Sequence, residues 1–106
     1  MEIVKILDST VADTGPTQTI DPYFLRSNTP LRLHCDLGSG DVVKIYGRLS
    51  AAHSWDELHT FTDETPVDVY PSYEMKAERT TDGGSADSYV YAQNPFNEIE
   101  LTVHSA

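Results

Sequence analysis

Leu31-Arg32-Leu33-His34-Cys35-Asp36-Leu37 alternates apolar and polar side chains at every step. In an extended chain successive side chains point to opposite faces, so Leu31, Leu33, Cys35 and Leu37 share one face and Arg32, His34 and Asp36 the other. A run of this kind buries one face and wets the other, as in an antiparallel sheet with one side in water. Further strand-like runs follow at Val42–Leu49, Trp55–Thr62, Val67–Tyr70, Tyr73–Arg79, Ser88–Gln93 and Glu98–His104. Turn-forming residues separate them. Gly38-Ser39-Gly40-Asp41 suits a hairpin between its flanking runs, and Asp82-Gly83-Gly84-Ser85 is the strongest turn signal, because glycine takes positive φ without steric cost. Within the runs, Val43, Ile45, Gly47 and Leu49 share a face, as do Tyr73, Met75 and Ala77. Ser54–His59 is the only fragment with helical spacing, and it is too short to form a helix by itself.

Working back toward the N-terminus, Glu2–Leu7 is another strand candidate and Thr17–Ile20 a short one. Asp8–Pro30 is otherwise rich in Thr, Asp, Pro, Ser and Asn, with an apolar knot at Tyr23-Phe24-Leu25. The expected organisation is a single domain: residues 1–30 as an N-terminal strand plus an extended polar segment, and 31–106 as the body of the fold. Residues 8–30 are either an arm or a stretch of hidden strands. The spacing of runs and turns predicts an all-β, antiparallel β-sandwich, jelly-roll or immunoglobulin-like, of about eight strands.

Charge narrows the partners. Seventeen acidic residues against seven basic ones give a formal charge of −10, and Lys5, Arg26, Arg32, Lys44, Arg48, Lys76 and Arg79 are scattered singly. A nucleic-acid binder needs a basic stripe to displace counterions, so nucleic acid is excluded as an expected partner, and anionic membrane surfaces are disfavoured for the same reason. Apolar runs are too short to span a bilayer. A charged start followed by an apolar stretch is absent, so the expected setting is a reducing cytosol. The single cysteine, Cys35, allows no internal disulfide and lies on the apolar face of its strand, as a small buried hydrophobe.

Reactive residues do not converge. His34, His53, His59 and His104 match no metal-ligand spacing. His34-Cys35-Asp36 resembles a nucleophile with its base and acid, but in a strand Cys35 points away from both neighbours. No catalytic, metal or cofactor residues are therefore expected. Two acidic glycine loops, Asp36–Asp41 and Asp82–Asp87, have the residue types that hold calcium, and equally those that form turns. Trp55 is expected as a core anchor. Tyr46, Tyr89 and Tyr91 are expected on exposed strand faces, where tyrosines suit a protein interface better than a sugar platform.

Two stretches, Val42–Thr62 (VVKIYGRLSAAHSWDELHTFT) and Phe96–Val103 (FNEIELTV), carry a resemblance. A strand and short turn lead into Trp-x-x-Leu-x-x-Phe-Thr, and the chain closes on an alternating strand. This resembles the small β-sandwich structural proteins of tailed-bacteriophage particles: capsid decoration proteins, head fibres and neck or tail components. The resemblance implies a non-enzymatic virion protein that docks on capsid or tail proteins. It also implies a homo-oligomer, a trimer or ring, located in the virion and in the host cytoplasm during assembly. The expected partner contacts are Tyr46, Tyr89 and Tyr91, with Tyr23 and Phe24 from the N-terminal segment. The alternative is a ligand-binding module for carbohydrate or calcium.

Overall fold

The computed structural model describes the backbone of residues 3–20, 29–93 and 103–105, and the side chains of 5–20 and 29–93. Tyr23 and Phe24 lie outside the described residues, as does most of the run Glu98–His104. Among the described residues there are nine strands and no helix: β1 (Ile3–Asp8), β2 (Gln18–Ile20), β3 (Leu31–Asp36), β4 (Val42–Arg48), β5 (Asp56–Phe61), β6 (Val67–Val69), β7 (Glu74–Thr81), β8 (Tyr89–Gln93) and β9 (Val103–Ser105). They form two sheets, β1-β8-β3-β6 and β5-β4-β7-β2-β9, in which every neighbouring pair is antiparallel.

The first eight strands obey one pairing rule. β4 pairs with β5, β3 with β6, β2 with β7 and β1 with β8, so the labels of these partners always add to nine. One long hairpin, with its tip at the β4–β5 turn, is thus rolled across both sheets. That is a jelly roll. An immunoglobulin-like sandwich keeps its last strand out of the sheet that holds the first two, whereas here β8 lies between β1 and β3. β9 stands outside the rule and adds to the free edge of β2.

The period of two is realised in packing. Leu31, Leu33 and Cys35 of β3, Val43 and Ile45 of β4, Met75 and Ala77 of β7, and Val90 and Ala92 of β8 all point between the sheets. Leu7, Ile20, Phe61 and Val69 complete the core. Burying each larger apolar side chain contributes about 1.5–3 kcal/mol. Ile6 and Leu7 are consecutive yet both buried, because the register of β1 on β8 shifts between Lys5 and Leu7. A bulge lets two neighbouring side chains face inward.

Three expectations change, and one, that Ser54–His59 is too short to be helical, holds. Gly38–Asp41 is not a hairpin turn: β3 and β4 belong to different sheets, so this loop is a corner that crosses the sandwich. Leu49 lies beyond the end of β4 and is 67% exposed, and Tyr73, before the start of β7, is 38% exposed. Neither is held by a ladder that would turn it inward. Ser54–His59 has no helical part; from Asp56 it is extended, and β4 supplies the hydrogen-bond partners a lone turn of helix lacks. Residues 9–17 run beside β7, where the Gly15 amide donates to the Ala77 carbonyl (2.8 Å) and the Arg79 amide to the Asp13 carbonyl (2.7 Å). They connect β1 and β2, which are strands of the two sheets.

Candidate functional site

At one end of the roll the inward-facing row of four strands becomes polar. Asp41 continues the parity of Val43 and Ile45, Arg79 that of Met75 and Ala77, Ser88 that of Val90 and Ala92, and Ser9 that of Leu7. The Asp41 carboxylate is fully buried and the Arg79 side chain is 7% exposed. Asp41 Oδ1 accepts from the Gly83 amide (2.6 Å), and its Oδ2 accepts from the Ser88 hydroxyl (2.7 Å) and Arg79 Nη1 (3.2 Å). Ser88 Oγ accepts from the Gly38 amide (2.9 Å), and the Ser88 amide donates to Ser9 Oγ (2.7 Å). Arg79 also donates through Nε and Nη2 to Asp13 (2.9 and 2.6 Å), and its Nη atoms lie 3.4 Å from Asp82 and 3.6 Å from Asp87.

This cluster clasps three sheet-crossing loops, β1–β2, β3–β4 and β7–β8, at one point. The two acidic glycine loops touch: a Cβ on Gly83 would sit 2.0 Å from the Ser39 carbonyl oxygen, and Gly40 opposite it takes φ +79. Only glycine permits that approach. The carboxylates Asp13, Asp41, Asp82 and Asp87 converge on the Arg79 guanidinium, which supplies the positive charge a cation would otherwise bring. Among the described residues no group of three or more His, Cys, Asp or Glu is placed to hold a metal ion. The geometry therefore supports turn formation and a charge clasp for these loops. On its solvent side the clasp borders an open cleft of about 260 Å³, lined by Arg79, Asp82 and Asp87 with Gly84, Ser85 and Ala86.

Burial opposes ionisation of Asp41, but the Gly83 amide, the Ser88 hydroxyl and the Arg79 guanidinium outweigh it and hold the carboxyl below its ordinary value of 3.8. A carboxyl depressed in the folded state adds stability above the unfolded value and loses it as pH falls through the folded one. The melting temperature is therefore expected to be flat from neutrality to about pH 5 and to drop below about pH 4. Asp41→Asn should flatten that acid limb, leaving the slope due to Asp8, Glu57, Asp63 and Asp68, which are also held low by hydrogen bonds. An unchanged limb in thermal melts would show that Asp41 is not the acid-sensitive group.

The two outer faces of the sandwich carry the aromatic residues. On the four-stranded sheet, Tyr89 and Tyr91 stand two apart on the central strand β8. In register Tyr91 lies between Lys5 and His34, and Tyr89 between Asp8 and Asp36. Lys5 Nζ sits 5.2 and 6.0 Å from the two ring centres and 3.5 Å from Asp8. His34 Nε2 lies 2.7 Å from Gln93 Oε1, and Arg32 forms a forked pair with Asp68 (2.8 and 3.2 Å). Lys5 with Asp8 and Arg32 with Asp68 are thus paired around the two tyrosine rings, while Asp36, exposed beside Tyr89, is a carboxylate outside these pairs.

On the five-stranded sheet, Trp55 is half-buried and outside the core, contrary to the expected anchor. Arg48 approaches its ring to 4.0 Å and Lys76 to 4.8 Å, and Lys76 also lies 5.5 Å from the Tyr46 ring. Arg48 and Glu74 pair at 2.7 Å with side chains only 18% and 15% exposed, although they rise from an outer face. The ring accounts for that burial, because it lies across the cations of β4 and β7. Phe61, with its edge-on contact to His59, fills the core position instead.

No known family, curated protein or solved structure matches this chain. Its own geometry therefore carries the reading. Tyr89 and Tyr91 come together, while Tyr46 stands on the opposite face beside Trp55. All three are half-buried rather than fully exposed, since neighbouring strands pack against their rings. Cys35 is 3% exposed, and burial, with Glu64, Asp36 and Asp41 nearby, pushes its thiol up to about 12. It is expected not to react with Ellman's reagent at pH 8 until denaturant is added; rapid reaction of the native protein would contradict this burial. The residues that sequence reasoning missed are Arg79 and Ser88. Strand parity was the available signal, because both fall on inward positions.

Proposed function

We propose that this chain is a non-enzymatic structural component of a tailed-phage virion, docking on capsid or tail proteins and self-associating as it assembles. The observation that carries the reading is the Tyr89–Tyr91 pair on the outer face of the four-stranded sheet. Two half-buried aromatic rings, bordered by the ion pairs Lys5–Asp8 and Arg32–Asp68, present area that a partner covers with little charge to desolvate, and a cation on the partner would meet Asp36 beside Tyr89. The resemblance of Val42–Thr62 to small phage sandwich proteins supports the same class, and jelly rolls recur in viral capsids. A fold does not by itself imply a function, so the reading rests on the face. It places the protein in the virion, and in host cytoplasm before assembly. The test is mass in solution by light scattering as concentration rises. A concentration-dependent oligomer is the expected result, and a monomer throughout would overturn self-association.

A second reading has its own observation. Trp55 beside Tyr46 on the other outer face is the kind of platform on which a sugar ring stacks. A ligand-binding module would stay monomeric, and its melting temperature would rise with a glycan by mass action. A melt series over neutral and acidic oligosaccharides, repeated with Trp55→Ala, reads that outcome directly.

A further inference from the structure

We infer that β9 is an exchangeable strand, and that the free edge of β2 is an interaction surface whose occupant in the assembled state is the β9 of a second copy of this chain. The inference rests on the assembly reading above and gives it a mechanism. Eight strands complete the roll, since each of them has its partner in the series that adds to nine. β9 is supernumerary. Its strand partner is β2, through three register positions: Gln18↔Ser105, Thr19↔His104 and Ile20↔Val103.

Three ladder positions are a weak hold. A backbone hydrogen bond contributes little net stability once water is counted, so releasing β9 is a small event beside unfolding of the roll. Release also exposes a particular vacancy. β2 is held on its other side by two register positions on β7, Gln18↔Met75 and Thr19↔Glu74, and by the Ile20 amide donating to the Tyr73 carbonyl (2.8 Å). What keeps β2 in the sheet is its burial, with Ile20 in the core at 2% exposed, and the segment before it, which is bonded to β7 through Gly15 and Asp13; without β9 it presents a row of unpaired main-chain groups. Such an edge templates another strand.

The strand that fits it with the same register and the same hydrogen bonds is an identical β9. Exchange between copies remakes every bond that release breaks, so the balance between closed monomer and joined copies is set by concentration and by the connection from Gln93 to Val103. Reciprocal exchange gives a closed pair, and head-to-tail exchange gives a ring. Neither uses the Tyr89–Tyr91 face, which stays free for a lattice partner.

The test uses the full chain in three forms: T19C, H104C and the double variant, with a size tag on the H104C chain. Residues opposite one another on antiparallel strands have Cα atoms roughly 4.5–5.5 Å apart, within reach of a short bismaleimide. Cys35 is 3% exposed and out of the reagent's reach in the folded protein. T19C and H104C chains are mixed at high concentration, cross-linked, and run on a denaturing gel beside a light-scattering measurement of the same sample. The expected result is a mixed covalent pair, present only when both chains are present and growing with concentration. The double variant should move from an intrachain link when dilute to interchain links when concentrated. An oligomer by light scattering with only intrachain links would overturn exchange and leave the assembly reading standing. A monomer at every concentration, linked within one chain, would overturn both.

Discussion

Arg79→Met is expected to destabilise the domain by about 3–5 kcal/mol, the cost of breaking a buried ion pair by removing one partner. For a chain of this size that lowers the melting temperature by roughly 15–30 °C. Methionine retains the length and apolar stem of arginine, so the loss falls on the charge. Asp41 would keep its hydrogen bonds from Gly83 and Ser88 while fully buried, and Asp13, Asp82 and Asp87 would face it with no cation among them. Without the guanidinium that helps to hold it low, the Asp41 carboxyl rises while still buried, so protonation becomes a remedy. The deficit between variant and wild type should therefore shrink as pH falls toward about 4. Chemical denaturation at pH 7 and pH 4 reads both effects. A variant within about 1 kcal/mol of wild type at pH 7 would mean that the clasp adds little to stability.

The second large effect separates two aromatic residues, Phe61 and Trp55, of which Trp55 was the expected core anchor. Phe61→Ala is expected to cost about 3–5 kcal/mol, because the ring is 1% exposed and fills the space between the sheets. Trp55→Ala removes a larger side chain and is expected to cost only about 1–2 kcal/mol, mainly its stacking on Arg48 and Lys76. Paired denaturation curves decide the order. If Trp55→Ala proved the more damaging, the tryptophan would be a core residue after all.

The contrast shows where the sequence was legible. Alternation in Leu31–Leu37, Val42–Leu49 and Ser88–Gln93 announces strands with one wet face, and the sandwich follows from counting such runs. The order of strands does not follow. A loop as short as Gly38–Asp41 serves a hairpin and a corner between sheets equally well, and only the partners of β3 and β4 tell them apart. Trp55 was misplaced for a related reason. It lies just before β5, where alternation no longer dictates a face, and the cations that receive its ring come from β4 and β7. The clasp was readable in part. Asp41, Arg79 and Ser88 each sit on the inward parity of a strand whose other inward residues are apolar, which marks a polar group bound for burial. For Asp41, its place in a turn-forming glycine loop hid that signal, and the meeting of the three at one point depends on the roll. For the candidate site, Tyr89 and Tyr91 were legible as neighbours on one polar face, whereas the separation of Tyr46 onto the opposite sheet required the topology.

The pairing rule of the roll also governs how the chain finds its shape. Among the described strands only the β4–β5 hairpin joins neighbours in sequence, and each pair outward from it closes a longer loop, until Ile3 meets Gln93 across nearly the whole chain. Loop-closure entropy must be overcome before each outer pairing is rewarded. Folding should therefore begin at the hairpin and zip outward from β4 and β5 to β1 and β8, on the millisecond-to-second scale of domains rich in non-local strand pairs. Until the last pair closes, β8 and β3 lack a neighbour and their apolar faces remain open to other chains. Through that interval the net charge of −10 keeps unfinished copies apart, even where they are concentrated.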